Sequence, residues 1–96
     1  MFKFLYGDYE DVKKLLEWLS KEEIPSDFKI IIEKLYKERD KLQFKKYFKR
    51  TYPNNWEGFD PILCRDLEIL KIAGVIEKNN GSLRVNRAAM NELLSP

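Results

Sequence analysis

Residues 67–85, LEILKIAGVIEKNNGSLRV, constrain the fold more than any other stretch of the chain. An amphipathic helix runs into Ala73-Gly74, and a short apolar strand with Val75 and Ile76 follows with no real loop. Glu77-Lys78 leads to a tight Asn79-Asn80-Gly81 turn and a returning strand in which Leu83 and Val85 alternate with Arg84. Glycine at position 74 suits the left-handed residue that ends a helix. Asn-Gly between alternating strands is the strongest short-range hairpin signal. The spacing therefore predicts helix over 61–73, paired strands over 75–78 and 82–86, and positive φ at Gly74 and Gly81.

Upstream, the chain divides at its breakers. Residues 1–6 alternate loosely and suit a short strand or an ordered arm. Asp8 caps a helix running to about Ser20, with Val12, Leu15, Leu16 and Leu19 on one face. Pro25 ends that region, and Ser26 is a suitable cap for a second helix over 27–38 that buries Phe28, Ile31, Ile32 and Leu35. Between 41 and 52, Phe44, Tyr47, Phe48 and Thr51 fall on one side of a helical wheel and Lys45, Lys46, Lys49 and Arg50 on the other. Residues 53–59 form a connection. Asp60-Pro61 opens the next helix with a carboxylate cap and a first-turn proline. Asn86 caps a last short helix holding Ala89, Met90, Leu93 and Leu94.

A helix delivered straight into a two-stranded hairpin, with Leu67, Leu70 and Gly74 followed by Val-Ile-Glu-Lys, resembles the winged helix-turn-helix family. The resemblance implies a mainly α fold with a small antiparallel hairpin and extra helices at both ends. In that pattern 27–38 is the first core helix, and 41–43 is a short strand pairing with the wing. Residues 44–52 and 60–73 are the helix-turn-helix, and 75–85 the wing. The chain then reads as one domain over 1–96, with an extension over 1–25, a core over 26–86 and a C-terminal helix over 87–96. The connection at 53–59 is longer than the tight turn usual in the family.

Ninety-six residues suffice to bury a core. Net charge is +2, but it is unevenly spread. Residues 1–40 carry 8 basic and 10 acidic side chains, 41–56 carry 5 and none, and 57–96 carry 5 and 6. The whole excess of positive charge lies in the middle stretch. The chain has no histidine and one cysteine, Cys64. The commonest general base and metal ligand are therefore missing, and one thiol cannot build a zinc site. Without a disulfide, a reducing compartment is the simpler reading. No glycine motif for nucleotide phosphates is present, and no apolar run approaches the roughly 18–20 residues that span a bilayer. MFKFLY is too short for a signal peptide. The expectation is a soluble intracellular protein, cytoplasmic or nucleoid-associated, with no enzymatic activity, cofactor or metal. Abundant Lys, Glu and Ile with little Gly or Pro would suit a thermophile, as it would an AT-rich genome.

What remains is binding. The family's commonest business implies duplex DNA as the partner of a small transcription regulator or genome-associated factor. The stripe of Lys45, Lys46, Lys49 and Arg50 supports that independently, as it would present cations to phosphates. Such runs are also the ordinary solvated face of a surface helix. Asn54 and Asn55 lie close by in sequence, with amides suited to phosphate or a base edge. On the wing, Lys78, Asn80 and Arg84 are candidates for backbone contact, although turn geometry and edge solubility account for them equally well. Arg65 is the candidate for reading bases. Its helix also carries Lys71 but is opposed by Asp60, Asp66 and Glu68, a net negative balance that phosphate repels. That balance favours the alternative, a protein-interaction module in a replication or transcription assembly, with homodimerisation as a further option.

Overall fold

The computed structural model describes residues 2–21, 24–47 and 61–95. It is mainly helical with a three-stranded antiparallel sheet. A single 3-10 turn at Phe2–Phe4 leads to α1 (Tyr9–Lys21), β1 (Ile24–Pro25), α2 (Phe28–Lys37) and the one-turn α3 (Arg39–Leu42). After the connection come α4 (Pro61–Ile72), β2 (Ile76–Asn79), β3 (Ser82–Val85) and α5 (Arg87–Leu94).

The helix boundaries follow local chemistry. The Asp8 carboxylate accepts the Asp11 N–H at 2.9 Å and caps α1. Asp27, and not the expected Ser26, caps α2 by accepting from the Lys29 N–H. Asn86 caps α5 through the Ala89 N–H. At the end of α4 the Val75 N–H donates to Leu70 O and the Gly74 N–H to Lys71 O. This pair of bonds is the glycine-terminated helix stop that needs a left-handed residue, and Gly74 has φ +79°. The chain is then free to enter β2 directly.

The hairpin forms as read from the sequence, one residue displaced at its first strand. Ile76 pairs with Val85, Glu77 with Arg84, Lys78 with Leu83 and Asn79 with Ser82. Its turn holds positive φ at both Asn80 (49°) and Gly81 (83°), the conformation that matches strand twist. The strand that pairs with the hairpin is β1, through Ile24 opposite Leu83 and Pro25 opposite Ser82, and the sheet order is β1-β3-β2. The expected strand at 41–43 is replaced by the end of α3, with Gln43 at φ 53° closing it. Proline is tolerated in β1 because an edge strand leaves some N–H positions unpaired.

Val12, Leu15, Leu16 and Leu19 of α1 are fully buried with Ile31, Ile32 and Leu35 of α2, with Leu63, Leu67 and Leu70 of α4, and with Ile24 and Ile76 of the sheet. The helix expected as an extension thus supplies a large part of the core. Trp18, on its flank, is half-buried and donates its indole N–H to Glu38 at 2.6 Å. Residues 44–47 are not helical, unlike the expected basic helix. Lys49, Arg50, Asn54, Asn55, Trp56 and the capping Asp60 lie outside the described residues. Among the described residues no helix is long and apolar enough to cross a membrane.

Candidate functional site

Two carboxylates are fully buried among the described residues, Asp11 on α1 and Asp66 on α4. A buried charge is tolerated only when its oxygens are fully hydrogen-bonded, and both are. Asp11 accepts the backbone N–H groups of Lys45 and Lys46, each at 2.7 Å, and of Tyr47 at 3.3 Å. Three successive N–H groups converging on one carboxylate form a concave anion-holding turn. This long-range grip sets the backbone of 45–47.

Asp66 performs the same task for the N-terminal arm. Its two oxygens accept the N–H groups of Tyr6 and Gly7, both at 2.9 Å, and Oδ2 also accepts the Tyr47 hydroxyl at 2.5 Å. Tyr47 is fully buried and meets Phe44 edge to face. Gly7 lies so close beneath the Tyr47 ring that a Cβ there would collide with the hydroxyl. Asp11, Asp66 and Tyr47 therefore lock the arm, the 44–47 turn and the two helices into one unit.

Charges and rings gather on the outside of that unit. Lys45 and Lys46 are exposed, as are Phe4 (57%) and Tyr6 (39%). The Lys46 ammonium lies 5.9 Å from the centre of the Tyr6 ring and the Lys3 ammonium 5.2 Å from that of Phe4, both within cation–π range. Arg65, exposed on α4, points its guanidinium toward the Phe4 carbonyl at 3.5 Å. None of these four cations is ion-paired to a described residue; among the described residues the one salt bridge is Lys37–Glu33 on α2.

Three of the residues singled out in the sequence, Lys45, Lys46 and Arg65, are thus brought to one surface, together with Lys3, Phe4 and Tyr6, which the sequence pattern does not mark. Asp66, expected to oppose phosphate, faces inward. The described exposed face of α4 carries Arg65 and Lys71 against Glu68 alone, two positive charges to one negative.

The candidates on the hairpin go elsewhere. Lys78 covers the Phe28 ring at 5.1 Å, and Asn80 is exposed at the turn. Arg84 faces away from the core beside Glu77, whose carboxylate accepts from the Asn86 side-chain amide at 3.3 Å. It lines a cleft with Arg87, Ser20 and the apolar Leu19, Leu83 and Val85.

Cys64 is half-buried, and its thiol is pushed up by burial and then by the neighbouring Glu68 carboxylate. That is the opposite of an activated nucleophile. Among the described residues no group of three His, Cys, Asp or Glu side chains gathers to hold a metal ion. Comparison of the chain with protein-family models, with curated proteins and with solved structures finds no match.

Proposed function

We propose that the chain is a DNA-binding protein of winged-helix type, which holds its ligand mainly through phosphate contacts. The observation that carries this reading is the cationic surface of Lys3, Lys45, Lys46 and Arg65, free of ion pairs among the described residues and held in place by two buried carboxylates. A surface that uses buried charge to fix exposed cations beside exposed rings suits a polyanion with planar bases. The order of elements supports the family reading with its parts moved along the chain. With β1 as the strand beside the wing, α1 takes the place of the first core helix, and α2 and α4 that of the helix-turn-helix. Residues 38–60 then lie between those two helices in the chain. The inward-facing Asp66 also removes one objection to α4 approaching phosphate.

One observation favours a protein-interaction module instead. Ile72, at the end of α4, is 83% exposed beside exposed Ala73. An apolar side chain so placed suits a protein partner.

Binding isotherms on random and genomic duplexes at two salt concentrations separate the two. Replacing Lys45, Lys46 and Arg65 by Gln should weaken binding severely and flatten the log–log salt slope by about 0.9 for each phosphate no longer neutralised. Equal, weak, salt-insensitive binding by both proteins removes the DNA reading. Altered assembly in Ile72→Gln then points to the protein module.

A further inference from the structure

The geometry points to unpaired bases as the part of the nucleic acid that this surface engages through Phe4 and Tyr6, an inference that rests on the DNA-binding reading above. Phosphate contacts need only cations. Two exposed aromatic rings add nothing to them, and in an intact duplex the faces of the bases are covered by their neighbours. A base free of its stack offers both faces, and an aromatic ring beside a cation is the platform that takes it.

Each exposed ring here has a cation beside it: the Lys3 ammonium lies 5.2 Å from the centre of the Phe4 ring and the Lys46 ammonium 5.9 Å from that of Tyr6. A single strand likewise carries one base and one phosphate per nucleotide. The rings are also held ready. The arm that bears them is pinned by the Tyr6 and Gly7 N–H bonds to Asp66, so little chain freedom remains to be lost on binding. The hydrogen bonds come from the backbone, so the pinning leaves the Tyr6 side chain out of it, 39% exposed with Lys46 beside its ring. One base on each ring, with the flanking phosphates on Lys3, Lys46 and Lys45, is the occupancy this geometry allows.

Three labelled DNA probes test this: an oligothymidine strand, a blunt mixed-sequence duplex, and the same duplex with an oligothymidine overhang. The strand and the overhang duplex should bind about tenfold or more tighter than the blunt duplex. Replacing Phe4 and Tyr6 together by Leu keeps the backbone bonds to Asp66. It should bring the strand and the overhang duplex down to the level at which the same variant binds the blunt duplex, with circular dichroism showing the fold retained. Equal affinities for the three probes in the parent chain, or a preference that survives the two leucines, overturns the inference while the DNA reading stands. No salt-dependent binding to any probe removes both.

Discussion

Asp66 shows how one side chain decides what a surface can present. It lies on the buried stripe of α4 with Leu63, Leu67 and Leu70, and three donors from two other segments converge on it. Replacing it by Ala strands the Gly7 N–H and the Tyr47 hydroxyl away from water. The expected cost is about 3 kcal/mol or more, since each buried donor left unpaired costs on the order of 1–3 kcal/mol. Tyr47→Phe removes one donor and leaves the carboxylate its two N–H partners, and should cost about 1.5 kcal/mol. Urea titration checks the order, and a Tyr47→Phe variant less stable than Asp66→Ala contradicts it. Cys64 gives a prediction in pH. Its folded thiol is raised, so the unfolded chain ionises first as pH climbs. The resulting contribution to stability is whole below the ordinary thiol range and is lost as pH rises through it. In mildly alkaline buffer, native Cys64 should alkylate several-fold more slowly than the same thiol in denaturant. Equal rates show the thiol to be unshielded.

At the level of elements, what is legible in the sequence is what is decided locally. The Asp8 and Asn86 caps, the stop at Gly74 and the Asn-Gly hairpin each depend on residues within a few positions of one another, and each stands where the pattern puts it. Substituting Gly81 by Val should therefore cost about 1 kcal/mol or more, because a β-branched residue resists φ near +83° even though nothing crowds the site. Thermal unfolding checks this; an unchanged midpoint contradicts it. The segment after α3 departs from its pattern for the opposite reason. Phe44, Tyr47 and Phe48 have helical spacing, yet the backbone at 45–47 answers to a carboxylate 34 to 36 positions earlier. Periodicity carries no trace of such a contact. One signal does exist: Asp11 and Asp66 each fall on the apolar stripe of an amphipathic helix, where a carboxylate is either misassigned surface or a buried anchor. The pattern alone does not say which, and so it leaves the arm with Phe4 and Tyr6 unplaced. The strand beside the hairpin escapes sequence reading because two residues containing a proline carry almost no strand signal of their own; β1 exists because β3 needs a partner.

On the scale of the molecule, α1 separates two cationic places. Its first turns carry Asp11, beneath Lys45 and Lys46, and its last carry Leu19 and Ser20, beside Arg84 and Arg87. The stretch of helix between Asp11 and Ser20 rises about 13 Å. Lys45 and Lys46 therefore lie toward one end of α1 and the hairpin cation Arg84, with Arg87, toward the other. A ligand that reaches both must extend along α1, which a nucleic-acid backbone does and a small anion does not. Sites this far apart with no shared partner should act independently, their free energies adding within about 0.5 kcal/mol. If one DNA molecule spans both, Arg84→Gln should weaken binding less than removal of Lys45 and Lys46, and to a similar degree on every sequence, as befits a contact that positions and carries no base information. It should also lower the salt slope by about 0.9 on its own. The variant that combines Arg84→Gln with the two lysine replacements should show the product of the separate reductions in affinity. An Arg84→Gln protein with parental affinity and slope confines the ligand to the arm end of α1. A combined reduction far smaller than the product indicates instead that the two places compete for the same phosphates.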